Sequence, residues 1–84
     1  MLLPIMETPF EKLVRVIGKG SQAELARKVG EAAGRAITPQ AVAKWETRIP
    51  GDRVYLLSIL SREAGEEVTP EAMRPDLFRI VRAA

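Results

Sequence analysis

Eighty-four residues of which 46% are hydrophobic suffice for one core and not for two, so a single small domain is expected, built as a helical bundle or helped by a partner subunit. The chain has neither cysteine nor histidine; disulfides, thiol nucleophiles, zinc centres and the commonest general base are excluded, no metal or cofactor is expected, and a reducing, cytoplasmic setting fits. The net charge is only +2, but between Lys12 and Arg53 nine basic residues face four acidic ones, which confines positive potential to the middle of the chain and suits either a polyanionic partner or an ordinary solvated surface.

Met1 to Met6 are apolar but short, lack a basic start and are broken by Pro4, a poor match to a signal peptide. Residues 1–7 read as an N-terminal extension and Met6 is an alternative start. No run approaches membrane-spanning length.

Thr8-Pro9-Phe10-Glu11 combines a capping Thr, a proline at the first helical position and a Glu three residues after the cap, so a first helix begins there. Phe10, Leu13, Val14 and Ile17 form its apolar face until Gly18-Lys19-Gly20 interrupts it. Ser21-Gln22-Ala23-Glu24 is a second capping box, leading into Leu25, Ala26 and Val29. Thr38-Pro39 repeats the first signal, with Ile37, Ala41, Val42 and Trp45 inward, and predicts a short third helix over about 38–47. Pro50-Gly51-Asp52 punctuates the chain. A fourth helix follows, with the stripe Val54, Leu57, Leu60 and Ala64, ended by Gly65. Thr69-Pro70-Glu71 opens a last helical turn through Met73, closed by Pro75. Glu67–Thr69 and Leu77–Val81 read as brief extended pieces. The class is all-α, a bundle of about five short helices in a domain over residues 8–78, with residues 79–84 as a tail.

The second and third helices carry the functional signal. Ala26 offers a small residue where two helices can cross, and Leu25, Val42 and Trp45 supply the apolar contact. The opposite face of the third helix gathers Pro39, Gln40, Ala43 and Lys44, since positions 40 and 44 are one turn apart and 43 lies beside them. These side chains suit groove reading: Gln pairs bidentately with adenine, Lys donates to guanine acceptors, and Ala or Pro touches a thymine methyl.

Gln22-Ala23-Glu24-Leu25-Ala26-Arg27-Lys28-Val29-Gly30 resembles the first helix and turn of the phage repressor and Cro helix-turn-helix. Thr38 to Trp45, Arg48-Ile49-Pro50 and Val68-Thr69-Pro70-Glu71-Ala72-Met73-Arg74-Pro75-Asp76-Leu77-Phe78 resemble the Cro-like prophage regulators that include the YdaS-type antitoxins. The resemblance spans about residues 9–78 and implies a lambda-repressor-like, Cro-type fold. It implies that Gln22 anchors a phosphate at the start of helix 2. Thr38 would touch the DNA backbone, Pro39, Gln40, Ala43 and Lys44 would face bases, and Arg48 would meet phosphate. Pro39 departs from the polar residue usual at its position, so shape or methyl contact is expected of it.

A larger departure is Glu31-Ala32-Ala33-Gly34-Arg35-Ala36 between Gly30 and Ile37, where family members turn in about three residues. Propensity favours an extended helix 2 capped by Gly34. The alternative is a looped insertion whose Arg35 touches the phosphate backbone.

Other features carry both plain and sharper readings. Trp45 has core spacing, although a stacking platform for an unpaired base is conceivable. Gly18-Lys19-Gly20-Ser21 faintly matches a phosphate-binding loop but follows a helix and reads as a turn. Glu66-Glu67 reads as solvated.

Sequence-specific binding of double-stranded DNA by a homodimeric transcriptional repressor is the leading expectation, with Tyr55, Ile59 and the Leu77–Val81 tail as the subunit surface. A protein-interaction module docking a toxin or another regulator is the alternative. Catalysis is set aside for want of a convincing acid, base or nucleophile set.

Overall fold

A computed structural model describes residues 7–78. Their order is α1 (Pro9–Val16), α2 (Gln22–Ala33), α3 (Pro39–Ala43), α4 (Val54–Glu63) and α5 (Pro70–Met73), with tight 3-10 turns at Lys44–Glu46 and Gly51–Arg53. Residues 1–6 of the expected extension and the tail 79–84, with Ile80 and Val81 of the expected subunit surface, lie outside the described residues.

Side-chain caps set most helix starts. Thr8, Ser21, Thr38 and Thr69 each accept a hydrogen bond from the amide three residues on, at 3.1 to 3.2 Å, which satisfies one of the orphan donors of the first turn. At Thr8 the reciprocal bond from its amide to Glu11 Oε1, at 2.8 Å, completes the box. The second expected box forms only by half, because the Glu24 carboxylate takes the Arg27 guanidinium instead, a charged donor that outcompetes a neutral amide. α4 has no side-chain cap and follows directly from the Gly51–Arg53 turn.

α2 runs past Gly30 to Ala33 and ends on Gly34 at φ 74°. The Arg35 amide bonds to the Gly30 carbonyl at 3.0 Å and the Gly34 amide to that of Glu31 at 3.3 Å, the paired closure of a left-handed glycine cap. Residues 31–33 therefore lengthen the helix, and the looped insertion is ruled out. Gly18-Lys19-Gly20-Ser21 is a turn, with Lys19 at φ 51° and Gly20 at φ 90°.

The core joins Phe10, Leu13 and Ile17 of the first segment to Leu25, Ala26 and Val29 of α2, Val42 and Trp45 beyond the turn, Val54 and Leu57 of α4, and Val68 and Met73. α2 packs against both α3 and α4. Two inward positions of α4 differ from the expected apolar stripe: Ala64 is exposed, whereas Ser58 and Ser61 are buried. Ser61 earns its place by hydrogen bonding, donating to the Ser58 carbonyl and accepting from the Val68 amide, both at 2.8 Å. The same bond explains why Glu67–Thr69 is not a strand: its central amide is used by a side chain. No strand occurs among the described residues, and Leu77 lies in a turn. No helix among them is long and apolar enough to cross a membrane.

Candidate nucleic-acid interface

α3 is held from one side and open on the other. Val42 and Trp45 are buried, and Ile37 and Ala41 are half-buried. That anchoring leaves Pro39, Gln40, Ala43 and Lys44 all exposed. Trp45, only 6% exposed, is a core residue and offers no face for stacking. α2 passes behind α3, and its Ala26 and Gly30 are both buried; an added Cβ at Gly30 would stand 2.9 Å from the Arg35 carbonyl oxygen, so the absence of a side chain there lets the connection turn closely into α3.

The expected helix over 38–47 is shorter and changes pitch. α-Helical geometry covers Pro39–Ala43, and Lys44–Glu46 tightens into a 3-10 turn. Downstream, Pro50 disfavours helical geometry at Ile49, which is buried in the core, so the helix does not resume after the 3-10 turn. Gln40 and Ala43 keep α spacing, while Lys44 opens the tighter turn.

The backbone-contact candidates are distributed around this face. Thr38 caps α3 and lines one cleft of about 350 Å³ together with Arg35 and Arg53. Pro39 walls a second groove of about 560 Å³, with Ala23, Ala26 and Arg27 of α2. Gln22 is exposed at the first position of α2 and shares a third cleft with Arg15 and Glu46. Arg48 is also exposed, but it lines a cleft with Arg74 and Asp76 and stands 3.8 Å from the Asp76 carboxylate. The structure thus brings Arg35 to Thr38 and leaves Arg48 in a separate cleft.

Charge is more sharply partitioned than the sequence suggests. Arg15 is gripped by Glu7 at 2.8 Å and Glu66 at 2.7 Å. These hydrogen bonds raise its pKa above the ordinary arginine value and hold both carboxyls below theirs. Arg27 is paired with both Glu24 and Glu31 along α2, the i,i+3 and i,i+4 spacing that helical charges favour. Neither arginine presents an unbalanced charge. Lys12, Lys19, Lys28, Arg35, Lys44 and Arg53 make no ion pair within 4 Å among the described residues.

Sequence reasoning did not place Arg53 at the Thr38 cleft, because proximity across the Pro50-Gly51 turn leaves no local signature. The neutralisation of Arg27 was legible in its spacing from Glu24 and Glu31. That of Arg15 depends on Glu66, fifty-one positions away, and had no such signal.

Comparison of the chain with family models, curated proteins and solved structures found no match to any of them.

Proposed function

We propose that the chain is a sequence-specific, double-stranded DNA-binding transcriptional regulator, a repressor of the Cro and YdaS prophage type, with α2 and α3 as a helix-turn-helix. The supporting observation is the exposed face Pro39, Gln40, Ala43 and Lys44 on an element anchored by buried Val42 and Trp45. α3 enters the major groove, Gln40 and Lys44 donate to or pair with base edges, and Pro39 and Ala43 make methyl contacts. Gln22, Thr38 and Arg35 hold the sugar–phosphate backbone; Arg48 belongs to the same expected set, with its charge offset by Asp76. The protein acts in the cytoplasm as a homodimer on a two-fold operator. Its subunit contact draws on Tyr55, Ile59 and Leu77, which are large, apolar and exposed. No catalytic role is proposed.

Titration into random-sequence duplex and into DNA upstream of its own gene, at two salt concentrations, tests this reading. The upstream DNA is expected to bind about a thousandfold tighter than random duplex. The Gln40→Ala/Lys44→Ala variant is expected to lose that preference. Absence of binding to either DNA at low salt would reject the proposal.

The alternative, a module that docks a toxin or another regulator, draws on the groove beside Pro39, whose walls include Ala23, Ala26, Gly30 and Ile37. It predicts that loss of Arg35, Lys44 and Arg48 leaves function intact, whereas DNA binding requires cations that displace counterions.

A further inference from the structure

Seven arginines lie among the described residues, and most are already answered, Arg62 by Glu67 at 3.7 Å. Arg15 and Arg27 each hold two carboxylates, Arg74 holds Asp76 in a two-pronged contact, and Arg48 faces Asp76 from 3.8 Å. Arg35 and Arg53 make no ion pair within 4 Å among the described residues, and both line the cleft of about 350 Å³ that also contains Thr38. They reach it from different segments of the chain. Arg35 follows the glycine that ends α2, and Arg53 closes the 3-10 turn that leads into α4.

The Thr38 hydroxyl oxygen accepts from the Ala41 amide, which leaves its own proton available for donation to a second group. Two guanidinium groups and a hydroxyl at one cleft form a donor set for a tetrahedral anion, and arginine suits phosphate through its planar fork of donors. Asp52 lines the same cleft; one carboxylate against two guanidinium groups leaves net positive charge. The cleft also includes Pro50 and Trp45, so its floor is part of the packed core.

We infer that Arg53 and Arg35 together clamp one backbone phosphate of a DNA duplex beside Thr38, and that this pair, not Arg48, is the principal cationic phosphate contact at the edge of α3. The inference rests on the DNA-binding reading above. It extends that reading by assigning a residue outside the α2–α3 segment and by reversing the expected weight of two arginines.

The test uses the full chain and a random-sequence duplex, because phosphate contacts are independent of sequence. The slope of log affinity against log salt is measured for the unaltered protein, Arg53→Gln, Arg35→Gln/Arg53→Gln, Arg53→Lys and Arg48→Gln. Circular dichroism verifies that each is folded at the titration temperature, since Arg53 also precedes α4. The double variant is expected to lose about one unit of slope magnitude. Arg53→Lys, which keeps the charge, is expected to retain most of it, and Arg48→Gln to change it less than Arg53→Gln. If the unaltered protein binds and the double variant keeps its slope, the clamp is overturned while the DNA reading stands. A loss at Arg48→Gln equal to or larger than that at Arg53→Gln also overturns the assignment. Failure of the unaltered protein to bind duplex overturns both.

Discussion

Arg74 holds Asp76 through two parallel hydrogen bonds of 2.9 and 2.7 Å while a third donor of the same guanidinium reaches the Ile49 carbonyl at 2.9 Å. One side chain therefore ties the segment after α5 to the segment after α3. The Arg74 guanidinium draws the Asp76 carboxyl down to about 2 from its ordinary 3.8. As acid is added, the unfolded chain takes up this proton first, so the contribution of Asp76 is fully present above about pH 4. It is lost as pH falls from there toward 2. The melting temperature is expected to decline over that window, and Asp76→Asn to start lower at pH 7 with a shallower decline. Equal acid limbs in the two proteins would show that the pair contributes nothing to folding.

Ser61→Ala is expected to destabilise the fold by about 1–3 kcal/mol, since it strands the Val68 amide beside the core. Replacing the hydroxyl with a hydrogen removes a single heavy atom, so the loss measured by urea unfolding reports chiefly the hydrogen bond. A loss below about 0.5 kcal/mol would mean that another group satisfies that amide, because even an ordinary hydrogen bond contributes about that much.

Two glycines separate conformational from steric cost. At Gly34 an added Cβ meets nothing within 4 Å, but φ is +74°, so Gly34→Ala should cost about 1–2 kcal/mol through backbone strain alone. At Gly18 the Cβ would fall 2.4 Å from the Ser21 carbonyl oxygen and 2.9 Å from that of Val14. The Ser21 carbonyl accepts the Leu25 amide at the start of α2, so relief must displace that helix. Gly18→Ala should be the more damaging of the two in denaturant titrations.

Trp45 is the single tryptophan, and its burial predicts blue-shifted emission that moves to the red on unfolding. Trp45→Ala should cost about 3–5 kcal/mol, a large share of the about 5–15 kcal/mol that holds a domain together. Trp45→Phe should fold with a lower melting temperature. Red emission from the native protein would contradict the burial and reopen a surface role for the ring.

The parts of this fold legible in sequence were those decided locally. Thr8-Pro9, Ser21, Thr38-Pro39 and Thr69-Pro70 marked four helix starts because a cap needs only the next three residues. Gly34 marked a helix end because a left-handed residue there favours glycine. The exposed face of α3 followed from the inward spacing of Val42 and Trp45. What escaped was decided at a distance: Ser61 is polar yet inward because of Val68, and Arg48 stands near an aspartate twenty-eight positions away. Hydrophobic periodicity cannot register a buried hydroxyl or a charge whose partner is remote.

α1, α3 and α5 all open with the same dipeptide, Thr-Pro. A helix that carries its own opening mark does not inherit its register from the helix before it. The six residues from Glu31 to Ala36 illustrate the result: α2 absorbs part of them and a glycine closes it, while α3 still begins at Pro39. Each of these three helices is thus started by its own cap, whereas the path between α2 and α3 is set separately, by the close approach of the Arg35 carbonyl to Gly30.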